Sequence, residues 1–183
     1  APLLVPKNDP SPFRFTVDLR PVIKQTIPTV WPRPYVESEL SGVSGSKCFS
    51  TFDLSNGYWQ LKLDEVSQEC QPIITPDGIY SPTRVLHGTR NVVSHMQSAL
   101  QGILGPLAEQ ILAWLDDLLL HAIDEDSLLH YLRIFFQICR DSNIKLHPRK
   151  CELFSVEVRW CGRFINGFGV RFDQRRVQGL REM

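Results

Sequence analysis

The sequence predicts an α+β fold, with helices packed on one face of an antiparallel sheet. Three observations point there. Short apolar stretches with strand character recur at residues 13–19, 49–54 and 111–122. Two longer segments, 91–104 and 128–140, carry their apolar residues at helical spacing. The patterns run in the order β, β, β-hairpin, α, β-hairpin, α, β, which suits a layer of helices over one antiparallel sheet.

Residues 1–46 are punctuated by Pro2, Pro6, Pro10, Pro12, Pro21, Pro28, Pro32 and Pro34. Proline fits neither a central strand nor a helix interior, so extended segments and turns are expected there. Residues 13–19 alternate and read as a short strand. Residues 49–54 read as a second strand, with Asp53 near its end and the turn signal Ser55-Asn56-Gly57 after it. Taken alone, a carboxylate there is more often a cap than a ligand. Residues 70–75 and 79–85 flank Pro76-Asp77-Gly78 as a hairpin. The helix over 91–104 presents Val92, Met96, Ala99, Leu100 and Ile103 on one face and ends at Gly105-Pro106. Asp124-Glu125-Asp126 places acids at the start of the second helix, which ends near Ser142-Asn143. Residues 144–172 return to short strands, with a turn at Asn166-Gly167-Phe168-Gly169, and a last helix is expected from Asp173.

With 183 residues, 43% of them hydrophobic, the chain can bury one core, or one core and a small satellite. No apolar run reaches bilayer length, and no signal peptide is visible at Ala1, so a cytoplasmic or nuclear location without a membrane is expected. The missing initiator Met reads as a boundary inside a longer chain. Five cysteines, without a C-x-x-C pair, argue against a disulfide framework or zinc site. His147 and Cys151 have ligand-like spacing but no second pair. Twenty basic residues balance twenty acidic ones, which argues against general nucleic-acid affinity through bulk charge. Residues 145–183 nevertheless hold nine Lys/Arg against four Asp/Glu, a local surplus compatible with a docked polyanion or an ordinary solvated face.

The segment 111–122 sets Asp116 and Asp117 between two apolar runs. Burying one unpaired carboxylate is costly, and adjacent carboxylates repel. The pair is therefore expected at a turn between two strands, either solvated or facing a metal. A hairpin turn without chemistry and a single amphipathic helix are the competing readings. If the strands ending in Asp53 and in the Asp pair are neighbours, three carboxylates meet at one sheet edge. Hard divalent cations favour such oxygen ligands. The sequence contains no nucleophile elbow, Walker loop or paired His-Cys arrangement to compete with this site.

Five segments then carry a resemblance. Phe13-Arg14-Phe15-Thr16-Val17-Asp18-Leu19-Arg20 resembles the fingers motif W-R-F-x-V-D-Y-R. Residues 49–58 resemble F-S-x-x-D-L-x-x-G-Y. Trp114-Leu115-Asp116-Asp117 resembles the Y/F-x-D-D box. Residues 145–152 resemble K-L-N-P-K-K-C-E, and Trp160-Cys161-Gly162 resembles the primer-grip turn. Together, and in this order, they resemble the fingers and palm of a reverse transcriptase from a Ty3/gypsy-type LTR retroelement.

The resemblance implies a right-hand polymerase palm plus a small β-rich fingers subdomain, with the thumb absent. Fingers would be residues 1–47 and 65–84, palm 48–64 and 85–172, and residues 173–183 the start of a linker to the thumb. Asp53 and Asp116 would hold two magnesium ions, or manganese in their place, with Asp117 in support. Such ions activate a primer 3′-hydroxyl and stabilise leaving pyrophosphate. Lys7 and Arg14 would contact the triphosphate of the incoming dNTP, beside His87 and Gly88. Tyr58 would be the steric gate against a ribose 2′-hydroxyl, which disfavours an RNA-synthesising enzyme. Trp160, Cys161 and Gly162 would steady the primer terminus, and Lys145 is a candidate proton donor. Implied partners are primer–template RNA or DNA, together with thumb and RNase H segments of a longer polyprotein. Without a thumb, activity is expected to be weak and salt-sensitive.

The sequence departs from the family at residues 86–93, Leu-His-Gly-Thr-Arg-Asn-Val-Val, where P-F-G-L-x-N-A-P or P-Q-G is usual. Gly88, Asn91 and Gln97 match, both prolines are missing, His87 replaces Phe or Gln, and Trp114 replaces Tyr or Phe. The rival reading is a catalytically inactive palm-fold descendant acting as a binding or interaction module. Neutral net charge and the altered segment favour it; Asp53, Asp116, Asp117 and Tyr58 oppose it.

Overall fold

The computed structural model describes residues 2–9, 11–29 and 36–172. In chain order the elements are β1 (Pro2–Asp9), β2 (Ser11–Val17), α1 (Arg20–Gln25), α2 (Val36–Ser41), β3 (Cys48–Asp53), α3 (Gly57–Gln60) and α4 (Glu65–Glu69). Then come β4 (Ile73–Thr75), β5 (Gly78–Tyr80), α5 (Val92–Ile103), β6 (Ile111–Trp114), β7 (Asp117–Ala122) and α6 (Glu125–Asp141). The strands β8 (Glu152–Ser155), β9 (Glu157–Trp160), β10 (Arg163–Asn166) and β11 (Gly169–Phe172) follow. The helix expected from Asp173 lies outside the described residues.

The chain divides into two compact units, residues 1–31 with 56–96, and residues 32–55 with 97–183. In the first, β1 and β2 pair as an antiparallel ribbon whose register slips between Pro6 and Asp9. Prolines are tolerated because each strand of a two-stranded ribbon has an open edge. The proline-rich stretch is not wholly extended, however. Pro21 opens α1, since the first helical turn needs no N–H from it. The short helix α4 was also not expected from the sequence; Asp64 caps it by accepting from the Ser67 N–H at 2.9 Å. Val17, Leu19, Ile73 and Leu86 form the core of this unit, with Val22 and Ile23 against it.

The family-divergent segment is anchored by side chains. The Asn91 Nδ2 donates to the Ile27 carbonyl at 2.9 Å, and its Oδ1 accepts from the Thr29 N–H at 3.0 Å. The Arg90 guanidinium donates to the Ile23 carbonyl at 3.3 Å. These bonds hold residues 23–29 against the entry to α5.

In the second unit, four antiparallel strands run in the order β6-β7-β3-β8, and a separate sheet runs β11-β10-β9. The centre of β3 is buried through Phe49, Ser50 and Phe52. The core gathers Leu40, Val43, Phe49, Leu112, Leu119, Val158, Trp160 and Ile165. Leu128, Leu132, Phe135 and Cys139 make the buried stripe of α6, spaced four, three and four residues apart. Its Phe135 ring lies 4.4 Å from Phe52, centroid to centroid. Asp124 caps α6 through a 2.8 Å bond from the Ser127 N–H.

One buried polar pair on β7 escaped the sequence reading. His121 is 6% exposed, its Nδ1 lies 2.9 Å from the Ser46 hydroxyl, and its Nε2 has no partner among the described residues. Burial lowers the imidazole pKa below the usual histidine value. The unfolded chain therefore takes up a proton near the ordinary histidine pKa that the fold resists. The stabilising effect of a neutral His121 is complete above that range and is lost as pH falls through it. The melting temperature should decline from pH 7.5 to 5.5 with a shallower slope in His121→Gln. Equal slopes in urea or thermal melts would refute this.

Candidate active site

Asp53 is the last residue of β3, and its register partner across the antiparallel ladder is Asp117, the first residue of β7. The β6–β7 hairpin pairs Trp114 with Asp117, so its turn is Leu115-Asp116 rather than the expected Asp116-Asp117. Asp117 belongs to the ladder because its position is needed to oppose Asp53. Leu115 takes a left-handed φ of 59°. That conformation costs a bulky L-residue about 1–2 kcal/mol, so neighbouring contacts must hold it.

The turn is fastened from several sides. The Leu54 N–H donates to the Asp116 carbonyl at 3.0 Å, setting Asp116 beside the end of β3. The Trp160 indole donates to the Asp117 carbonyl at 3.3 Å. The Gln97 side chain reaches both Ala113 and Leu115. Beyond β3, the Ser55 N–H donates to the Lys145 carbonyl at 2.9 Å and the His147 N–H to the Asp53 carbonyl at 2.8 Å. The stretch 145–150 thereby borders the carboxylates. Lys150, quoted in a motif but given no role from the sequence, donates to both Asp53 carboxylate oxygens at 3.1 and 3.3 Å.

The electrostatics follow from this gathering. Burial raises the Asp117 pKa most, then the negative charges of Asp116 and Asp53, while Lys150 works against the rise. Asp117 keeps exposed surface, yet the protein around it withdraws enough water for like charges to act. Three acids thus face one lysine. This donor set fits a hard divalent cation in kind, as oxygen ligands with excess negative charge. It is not a finished cage: among the described residues, no three His, Cys, Asp or Glu side chains are grouped ready to hold an ion. Asp53 is instead engaged by Lys150.

Trp160 is 3% exposed and belongs to the core, so it supports the following turn from beneath. Cys161 and Gly162 form that two-residue turn between β9 and β10, at φ 48° and 74°. Two left-handed central residues match the twist of a tight hairpin.

The other sequence-derived residues lie in the first unit. Lys7 is on β1 and Arg14 on β2, where Arg14 pairs with Val5. Tyr58 and Trp59 sit on α3. The His87 ring meets Tyr58 edge-on at 5.0 Å and Trp59 at 6.1 Å, and Trp59 meets Phe15 at 6.4 Å. Gly88 has φ 93°, a conformation glycine adopts without strain.

A model of the family described as reverse transcriptase (RNA-dependent DNA polymerase) matches residues 5–165. The chain belongs to the reverse transcriptase family. It is 31% identical over 180 residues to the retrovirus-related Pol polyprotein from transposon 412 of Drosophila melanogaster, covering 95% of this chain and 15% of that protein. It is 25% identical to the transposon Tf2-3 polyprotein of Schizosaccharomyces pombe (strain 972 / ATCC 24843), covering 96% of this chain and 13% of that one. These relatives bear out the resemblance to Ty3/gypsy-type LTR retroelements. This reverse transcriptase segment therefore spans about a seventh of the transposon 412 polyprotein.

Among solved structures, the foamy viral protease-reverse transcriptase dRH in complex with double-stranded DNA matches with a TM-score of 0.87 at 22% identity, over 98% of this chain and 31% of that one. The foamy viral protease-reverse transcriptase in complex with an RNA/DNA hybrid matches with a TM-score of 0.83 at 22% identity, over 97% of this chain and 24% of that one. The fold is a reverse transcriptase palm with its antiparallel sheet and covering helices, as the sequence predicted.

Proposed function

We propose that this chain is the fingers–palm core of a retroelement reverse transcriptase that extends a primer 3′-hydroxyl from dNTP, on an RNA or DNA template. The observation that carries the reading is the opposition of Asp53 and Asp117 across one ladder, with Asp116 fastened one residue away by the Leu54 N–H. Magnesium, or manganese in its place, held by Asp53 and Asp116 with Asp117 in support, would activate the 3′-hydroxyl and stabilise the leaving pyrophosphate.

In this reading, Lys7 and Arg14 bind the triphosphate, and His87 and Gly88 border the nucleotide. Tyr58 excludes a ribose 2′-hydroxyl, with the edge-on His87 ring limiting its movement. Trp160, buried and bonded to the Asp117 carbonyl, carries the Cys161-Gly162 turn that steadies the primer. We assign the fingers to residues 1–47 and 65–84 and the palm to 48–64 and 85–172. The same reading places the protein in the cytoplasm or nucleus as part of a longer polyprotein with thumb and RNase H segments.

Primer extension at low salt with magnesium and dNTP tests the reading, with Asp116→Asn as the matched control. Incorporation by the wild type that the variant loses is expected. Equal incorporation by both contradicts it. The engagement of Asp53 by Lys150 favours a second reading, an inactive palm descendant used as an interaction module. On that reading neither protein extends the primer, and divalent ions leave the melting temperature unchanged.

A further inference from the structure

We propose that Gln97 is a positioning residue that fixes the Asp116 carboxylate by acting as a surrogate β-strand; this rests on the polymerase reading above. Gln97 is 2% exposed on α5. Its Nε2 donates to the Ala113 carbonyl at 2.9 Å, and its Oε1 accepts from the Leu115 N–H at 3.3 Å. A buried amide is costly unless both ends are satisfied, and an apolar side chain of similar size would fill this place without that cost. The polar choice is explained by what it bonds.

The strand β6 lies at the edge of the sheet, so among the described residues one side of its backbone has no ladder partner. The carbonyl of residue 113 and the N–H of residue 115 bracket Trp114 on one side, as two groups bonding the N–H and C=O of one residue in a parallel neighbouring strand would. The Gln97 primary amide presents an N–H donor and a C=O acceptor on the same side, as one residue of such a strand does. It therefore extends the ladder by one unit, at the point where the chain enters the turn.

The consequence falls on Leu115 and the residue after it. Leu115 holds φ 59° against its own preference, and such a conformation persists only when its surroundings over-determine it. Gln97 secures the Leu115 N–H, and the Leu54 N–H secures the Asp116 carbonyl. Together they fix the 114–115 and 116–117 peptides, which bracket Leu115 and Asp116 from both ends. Releasing the first lets Leu115 relax toward negative φ and swings Asp116 away from Asp53.

The test uses two variants of the full chain. Gln97→Met fills the volume without either bond. It should lower kcat for primer extension by about tenfold to a hundredfold, as a displacement of about 1 Å does, while KM for dNTP stays within about twofold. It should also raise the manganese concentration that half-saturates the gain in melting temperature, by about tenfold. A role confined to packing would lower the metal-free melting temperature and leave that half-saturation point unmoved. Gln97→Glu supplies a conditional rescue. Burial raises the pKa of the new carboxyl, and in its protonated form it donates and accepts as the amide does. Its kcat relative to wild type should approach one at low pH and fall as pH rises. Wild-type kcat and metal half-saturation in Gln97→Met, or a flat ratio in Gln97→Glu, would overturn the inference alone. A wild type that neither extends a primer nor responds to manganese would overturn the polymerase reading and this inference with it.

Discussion

Asp116→Asn is expected to lower primer extension by about a thousandfold, the rate equivalent of roughly 4 kcal/mol of transition-state stabilisation. Asn keeps the size of the side chain and removes its charge, so the hairpin and its bonds to Leu54 and Trp160 survive. The same substitution should slightly raise the melting temperature in metal-free buffer at pH 7. Asp117 is held above the usual carboxylate pKa first by burial and then by Asp116 and Asp53, so removing one neighbour relieves repulsion. The site is partly exposed and screened, which limits the gain to ~0.5 kcal/mol, or roughly 1–2 °C for a chain of this size. The sign follows from the raised pKa. Repulsion is full above it and fades as pH falls and Asp117 takes up a proton, so the gain belongs to neutral pH and vanishes toward pH 4. Loss of activity together with loss of stability would mean that Asp116 is a structural residue. Calorimetry paired with single-nucleotide extension separates the two.

The largest stability effect is expected from Phe135→Ala. Phe135 is fully buried on α6 and packs against Phe52 of β3, ring centroids 4.4 Å apart at a tilt of 38°. Truncating a buried Phe removes its transfer free energy and leaves a cavity, for about 3–5 kcal/mol. Phe52 immediately precedes Asp53, so the loosened ring lies next to the carboxylate edge. The variant should unfold at a much lower urea concentration than wild type. Where it stays folded, its manganese response should weaken as well. A change of less than about 1 kcal/mol would mean that α6 is not the helix covering this sheet.

The parts of the fold that sequence made legible are those where local chemistry and burial agree. The strand over 49–54 and the helices over 91–104 and 128–140 lie within a residue or a few of β3, α5 and α6, because their apolar spacing is also their core face. The hairpin at 70–85 shrank to Ile73–Thr75 and Gly78–Tyr80, since residues 83–85 pair instead with residues 61–63, where Val85 is buried. The helix α1 was hidden because Pro21 was read as a breaker when it stands at a helix start.

At the site, the carboxylates were legible from residue type and motif, whereas what holds them was not. The turn slipped by one residue because leucine is a poor candidate for a left-handed φ, and only the cross-strand match of Asp53 with Asp117 demands it. Gln97 matched the family at a stripe of apolar residues, and a buried glutamine there was the available signal for its bonds to the hairpin. Lys150 and His121 gave no local sign. Their importance comes from Asp53 and Ser46, 97 and 75 positions away.

The central claim is that Asp53, Asp116 and Asp117 together bind a divalent cation, displacing the hold of Lys150 on Asp53. Manganese titration followed by thermal melting tests it most directly, on wild type and Asp53→Asn side by side. The account predicts a saturable rise for wild type, equivalent to about 2.7 kcal/mol at a hundredfold excess over Kd, and little or none for Asp53→Asn. The same rise in both proteins, or none in either, would contradict it.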